Sequence, residues 1–318
     1  MNWDLISQRI IKKDHSYCAV IISYNKVPKI SEIVRAINNN IIDGLIVVDN
    51  STDINVPDCL RQSHSKADLN KVIFIRNGVN LGISKAMNLA FSTGKKYGFE
   101  YYFLLDDDAF LHKDYFKLEI ETFSRILISD KNVGVVCPIV TNGENYFGMP
   151  FSHLEDVSEI KGAITSGSLV SLDAIEAANG YNVEFFLEHA DIDFFRRIRE
   201  KGFKIFRINT ALILQDFGTS LPAKGITGLF LKIFNYIYYY SFVKLNLIND
   251  FVYEISIYPP NREHTIIRSS KKVMNMYHFS KFRKFIVISR FTIFLYLKFM
   301  LTKNPEYLNI IKGEINAT

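Results

Sequence analysis

The stretch YYFLLDDDA, residues 101–109, decides the reading: an unbroken apolar run with three carboxylates directly behind it. YYFLL has the pattern of a strand buried on both faces, where apolar residues follow one another without alternation. Asp106, Asp107 and Asp108 then stand at its carboxyl end. Three adjacent acids repel each other, and the arrangement costs free energy unless a cation offsets it. Alternation along an extended backbone sets Asp106 and Asp108 on one side and Asp107 on the other. A solvated acidic turn is the plain alternative. The position after a buried strand, and before Ala109-Phe110, favours a site for magnesium or manganese, hard ions that commonly share oxygen ligands with a diphosphate.

Outward from this stretch, CAVIISY (18–24) and GLIVVDNST (44–52) are further strands of the buried type, and KVIFIRN (71–77) is a third short strand. Helices are expected from Pro28 to Asn39 and over GISKAMNLAFSTGKKYG (82–98). Strand, helix, strand, strand, helix, strand is the order of an α/β fold: a mixed, mostly parallel sheet flanked by helices. Such sheets bind ligands at the carboxyl ends of their strands, where Asp49, Asn50 and Ser51 lie beside the acidic triplet. Beyond it, VGVVCPIV (133–140) and AITSGSLVS (163–171) read as strands, followed by a helix at 173–178 and an NGYN turn. An amphipathic helix is expected over 189–201, with Gly202 as its cap. FKIFRINTALILQ (203–215) supplies one or two more strands.

Apolar residues make up 48% and charged residues 22% of the 318, which excludes a disordered or fibrous chain. The net charge of +5 hides a division. Residues 1–220 carry 24 Lys/Arg against 28 Asp/Glu, whereas 221–318 carry 14 against 5 and hold 19 of the 44 aromatics. A working part (1–220) followed by a helical, basic and aromatic region (221–318) is therefore expected. Cys18, Cys59 and Cys137 show no C-x-x-C spacing and suit a reducing compartment. The opening MNWDLISQRIIKKDHS has no basic-then-apolar pattern, so no secretory signal is expected. The apolar runs at 233–243 and 285–301 fall short of the roughly 18–20 uncharged residues of a spanning helix. The expectation is a cytoplasmic chain, peripheral on the inner face of the membrane, its basic aromatic tail resting on an anionic surface. Packing of those aromatics on the catalytic part, or on a second copy in a homo-oligomer, is the alternative. No nucleic-acid partner is expected, because the tail has no recognition motif.

Two further segments carry chemistry. In GVNLGISKAMNLA (78–90), Asn80 and Gly82 precede a helix whose first N–H groups suit an anion or ribose, or simply begin an ordinary helix. Neither G-x-G-x-x-G nor G-x-x-x-x-G-K-[ST] occurs, which argues against the usual dinucleotide enzymes and nucleotide triphosphatases. In EHADIDFF (188–195), Asp191 and Asp193 sit at a helix start. There the dipole favours negative charge, and a carboxylate on a rigid element can also act as general base.

VVDNST (47–52), NLGISKAMNLA (80–90), LLDDDA (104–109), SGSLVS (166–171) and HADIDFFRRIREKGFKI (189–205) stand in one order. Together they resemble the family 2 glycosyltransferases, and within them the rhamnosyltransferase-like branch of bacterial surface polysaccharide synthesis. The resemblance covers about residues 17–220. It implies a GT-A (Rossmann-like) fold, a nucleotide-sugar donor, a divalent cation (Mn2+ or Mg2+) and inversion at the anomeric carbon. Rhamnose from dTDP-rhamnose, moved to a glycan or lipid-linked acceptor, is the donor it suggests first; a UDP-linked hexose or galactofuranose comes next. A non-catalytic scaffold in a polysaccharide assembly complex is the reading of another class. By the same resemblance Asp49, Asn50, Ser51, Asn80 and Gly82 contact the donor's nucleotide, and Asp107 faces its sugar. Asp106 and Asp108 hold the metal, Ser166 and Gly167 floor the acceptor site, Asp191 is the base and Asp193 a second acid. The family's H-x-x-G segment reads Gln215-Asp216-Phe217-Gly218 here, leaving Gln215 or Asp216 to complete the metal shell.

Overall fold

In the computed structural model, which describes residues 15–38, 41–141, 147–150, 156–215, 220–222, 254–256 and 258–315, the apolar runs form the expected strands. They are β1 (Tyr17–Ser23), β2 (Gly44–Asp49), β3 (Val72–Arg76) and β4 (Tyr101–Asp106), all parallel, in the order β3-β2-β1-β4. Every residue of β2 is buried, as a strand covered on both faces requires. Helix α1 (Pro28–Asn38) follows β1, and α3 (Ile83–Lys96) follows β3. Between β2 and β3 lies α2 (Val56–Ser63), which the strand–strand reading of that segment passed over. Asn55 caps it, its Oδ1 accepting the Asp58 N–H at 3.2 Å, and Pro57 sits in its first turn.

The second half of the sheet is mixed. It contains β5 (Phe110–Leu111), β6 (Val133–Thr141), β7 (Val157–Ile160), β8 (Ser168–Ser171) and β9 (Lys204–Leu214). β8 runs antiparallel between β4 and β6, and β9 lies parallel to β6. KIFRINTALIL is one bulged strand rather than two, and the segment before Ser168 is loop. Helix α4 (Tyr115–Ser129) also went unread, although Phe116, Ile120 and Phe123 recur at helical spacing and are buried. Helices α5 (Leu172–Ala177) and α6 (Ala190–Glu200) match the expected ones.

Alternation along β4 divides the core. Tyr101, Phe103 and Leu105 join one cluster with Ile33 and Ile37 of α1 and with Phe116 and Ile120 of α4. Tyr102 points the other way, edge-on to Phe91 of α3, with ring centroids 5.4 Å apart. Gly94 is required there, because a Cβ would lie 2.5 Å from the Tyr102 ring.

The chain divides into two compact units, residues 1–216 and 217–318. The second contains a two-strand ladder, β10 (Ser220–Pro222) with β11 (Glu254–Ser256), and helices α7 (Pro260–Met276), α8 (Lys281–Thr302) and α9 (Glu306–Ile310). Ile267, Leu295, Tyr307 and Ile310 form its core, and Lys298 of α8 pairs inside it with Glu263 of α7. At 22 residues α8 extends beyond the run read over 285–301 and is, by length and composition, long and apolar enough to cross a membrane, although Arg290 and Lys298 interrupt it. Its opposite side exposes Phe282, Phe285, Tyr296 and Met300. The apolar run at 233–243 lies outside the described residues.

Candidate active site

Strand register assembles the site. Ile22 pairs with Asp106, Ser23 with Asp49, and Asp49 with Arg76, so β1, β2, β3 and β4 end side by side. The acidic triplet thus lies at the carboxyl edge of a parallel sheet, half-buried.

Each acid of the triplet has its own partners. Gln215, the residue after β9, points its Nε2 at both Asp106 Oδ2 (2.8 Å) and Asp108 Oδ1 (2.9 Å). Lys26 Nζ lies 3.1 Å from Asp107 Oδ1 and 2.8 Å from Asp108 Oδ2. The Tyr24 N–H donates to the other oxygen of Asp107 at 3.1 Å. Burial pushes the Asp106 carboxyl up to about 6; the Gln215 hydrogen bond opposes this, and the charges of Asp108 and Asp107 add to it. Burial also raises Asp107, against the N–H of Tyr24 and the charge of Lys26.

Asp106 and Asp108 offer one oxygen each to a single atom, so one small ligand can bridge both. Gln215 Oε1 is a further buried oxygen without a hydrogen-bond partner. That donor set fits a hard divalent cation sharing its remaining positions with a diphosphate. It is not a complete shell, since among the described residues no three His, Cys, Asp or Glu side chains group as a metal site. Asp216 lies outside the described residues.

The donor-side residues form one network. Asn50 Nδ2 donates to Gly82 O (3.3 Å) and reaches Asn80 Oδ1 (3.5 Å), while Asn50 Oδ1 accepts from Asn77 (2.8 Å). Asn77 escaped the sequence reading. Ser51 Oγ accepts the Asn25 N–H at 2.8 Å. Asp49 is fully buried and turned inward: its oxygens accept the N–H groups of Ser51 (2.9 Å) and Val56 (3.1 Å), with Arg76 at 3.8 Å. It shapes the loop from within. The start of α3, expected to offer open N–H groups, is met by the chain itself. Ile83 N–H donates to Phe186 O at 2.7 Å and Ser84 Oγ to Phe185 O. Gly82 has φ +76°, and a Cβ there would lie 2.5 Å from Phe186 O.

On the acceptor side, Ser166 is buried with its Oγ unpartnered. Gly167 has φ +83° and carries the carbonyl that accepts Tyr115 Oη–H at 2.9 Å. Asp191 opens α6, and burial pushes its carboxyl up to about 6; the Ile192 N–H opposes this and the charge of Asp106 reinforces it. The charge of Asp106 is thus felt at the start of α6. His189, in the left-handed region at φ +66°, is held neutral, burial pushing it down to about 4. Asp193, in contrast, is fully buried and paired with Arg197 Nε at 2.8 Å. Arg197 in turn donates to Ala178 O and, at 2.8 Å, to Gly180 O. Asp193 therefore braces the turn before α6.

The family described as Glycosyl transferase family 2 matches residues 18–187, which include β2 to β8, the donor-side network and the triplet. The chain belongs to that family. It is 24% identical over 210 residues to the dTDP-rhamnosyl transferase RfbF of Shigella flexneri, across 63% of this chain and 69% of that one. Its fold is similar to GalNAc-T7, solved with UDP, GalNAc and Mn2+ (TM-score 0.51, 10% identity, 64% of this chain); this chain spans only 44% of that one. It is also similar to the mannosyltransferase PcManGT of Pyrobaculum calidifontis, solved with GDP-Man and Mn2+ (TM-score 0.50, 14% identity, 98% and 94% of the two chains). The fold of this family 2 glycosyltransferase is thus GT-A, as the sequence led one to expect.

Proposed function

We propose that this chain transfers a sugar, with inversion, from a nucleoside-diphosphate donor to a hydroxyl of a glycan or lipid-linked acceptor in bacterial surface polysaccharide synthesis. The observation that carries the reading is the state of Asp191 at the start of α6: burial, reinforced by the charge of Asp106, holds its carboxyl near 6. A base tuned close to neutral can take a proton from an acceptor hydroxyl as its oxygen bonds to the anomeric carbon. The bond from that carbon to the diphosphate oxygen breaks on the opposite face, and the diphosphate leaves with the electron pair. Asp106 and Asp108, with Gln215 beside them, would hold a magnesium or manganese ion, which supplies charge stabilisation for the leaving diphosphate. Asn50, Ser51, Asn80 and Gly82 hold the donor loop in shape, and Asp49 sets that loop from beneath. Similarity to the Shigella protein favours rhamnose from dTDP-rhamnose.

Asp191→Asn keeps the shape and removes the base. Turnover is expected to fall roughly 100-fold or more, with nucleotide binding retained; near-normal turnover sinks the assignment. A thermal-shift series of dTDP, UDP and GDP with and without Mn2+ reads the donor, since a ligand of the folded state raises Tm.

The reading extends to the second unit. Lys281 and Arg283 stand among exposed Phe282 and Phe285 at the start of α8, the composition of a helix lying in an anionic membrane surface. The ion pair of Lys298 with Glu263 keeps the other side of α8 on its own neighbours. This supports a peripheral place on the cytoplasmic face, close to a lipid-linked acceptor.

A further inference from the structure

The turn leaving β1 carries a charged group that the proposed transfer does not use. After Ser23 the chain runs Tyr24-Asn25-Lys26, with Asn25 in the left-handed region at φ +58°. The turn is held at several points. Ser23 Oγ donates to Lys26 O at 2.9 Å, the Asn25 N–H donates to Ser51 Oγ at 2.8 Å, and Asn25 Nδ2 donates to Asp53 Oδ2 at 3.0 Å. This places Lys26 Nζ between Asp107 Oδ1 and Asp108 Oδ2, while the Tyr24 N–H holds the remaining oxygen of Asp107. The Lys26 side chain is 49% exposed, so packing does not force it onto the acids; their charge attracts it.

We propose that Lys26 is the built-in counter-cation of the Asp106–Asp108 cluster, and that a divalent cation must displace it to reach Asp108. The two oxygens of Asp108 are taken separately, Oδ1 by Gln215 and Oδ2 by Lys26. A cation using Asp108 therefore competes with one or the other. The ammonium is a point charge on a flexible stem, and it leaves more readily than a side-chain amide anchored at the end of β9. Once displaced, it remains tethered beside the cluster by the pinned turn, where a diphosphate is its natural partner. A cation alone thus binds against the lysine. A cation and a nucleoside diphosphate bind cooperatively, each raising the other's affinity by the same factor.

The inference deepens the metal-assisted reading above, and its test needs no turnover. Mn2+ binding to the full chain is followed by loss of the free-ion paramagnetic resonance signal, for the natural protein, Lys26→Gln, Lys26→Arg and Asp108→Asn. Lys26→Gln is expected to bind Mn2+ alone about 2- to 5-fold more tightly, as removal of a partly exposed ion pair allows. Lys26→Arg stays near the natural protein and Asp108→Asn loses affinity. Added UDP or dTDP raises Mn2+ affinity more in the natural protein than in Lys26→Gln. Unchanged or weaker Mn2+ binding by Lys26→Gln overturns the proposal, as does an absence of binding by both proteins. A gain in Mn2+ affinity with no sugar nucleotide ever turned over upholds the lysine exchange and counts against the transfer reading alone. Because Lys26 is half-exposed, its replacement is not expected to disturb folding, and an unchanged melting temperature checks this.

Discussion

Asn88 and Tyr181 hold each other at both ends of an amide. Asn88 Nδ2 donates to Tyr181 O at 2.8 Å, and the Tyr181 N–H donates to Asn88 Oδ1 at 2.7 Å. A side chain of α3 thus pairs with main chain as a neighbouring strand would, fixing the turn that leads to Asp191. Gly180 fits closely against it, at φ +63° and with a would-be Cβ 2.4 Å from Asn88 Oδ1. Tyr181 Oη also shares a hydrogen bond with Thr165 Oγ1 at 2.9 Å, next to Ser166.

Asn88→Ala leaves the main-chain N–H and C=O of Tyr181 without these partners. Each buried group left unsatisfied costs about 1–3 kcal/mol, so a loss of roughly 2–6 kcal/mol is expected in urea unfolding. Asn88→Asp retains the acceptor for the Tyr181 N–H but sets a second acceptor oxygen against the Tyr181 C=O, so it is expected to lose at least as much. An unchanged urea midpoint in the alanine variant contradicts this role.

The two acids of HADID separate by experiment. Asp193→Asn breaks a buried pair and leaves Arg197 uncompensated, a loss of about 3–5 kcal/mol, or a Tm lower by on the order of 10 °C. Asp191→Asn removes a carboxyl whose ionised form is disfavoured by burial and by Asp106, so Tm is held or raised while turnover collapses. Calorimetry on the pair checks the contrast. Equal melting temperatures for the two variants refute it.

A base at about 6 gives turnover an acid limb: the rate falls about tenfold per pH unit below about 6. Stability follows the opposite sign from a salt-bridged carboxylate. Asp106 and Asp191 bind protons more tightly in the folded state, at about 6 against roughly 3.9 unfolded. Their contribution is fully present below the unfolded value and is lost as pH rises through about 6. Asp106→Asn is therefore expected to flatten the dependence of Tm on pH between about 4 and 6, which scanning calorimetry reads directly. An unaltered slope would show that Asp106 titrates normally.

Phe282 and Phe285 are 70% and 67% exposed on α8. Replacing both with Glu in the full chain is expected to weaken binding to anionic phospholipid vesicles by roughly tenfold for each aromatic withdrawn from the surface. Sedimentation with vesicles measures it. Undiminished binding removes these residues from the contact.

The sequence by itself determined the parallel half of the sheet, because VVD and YYFLLD are apolar runs without alternation and only a strand covered on both sides suits them. It also pointed to the acids at the end of the fourth strand, Asp106 and Asp108, and to Asp191 at a helix start, because they stand in short motifs whose chemistry is local. Helices α2 and α4 were legible in principle, through the Asn55 cap and the spacing of Phe116, Ile120 and Phe123. Only the tertiary structure gave the two acids of α6 different surroundings. Asp193 turns inward to Arg197 while Asp191, two residues earlier, is set against Asp106, a difference of helix face fixed by what α6 packs upon. Lys26 reaches Asp108 across 82 residues and Asn88 reaches Tyr181 across 93. Such pairings depend on strand register and loop closure, which a sum of local preferences along the chain does not contain.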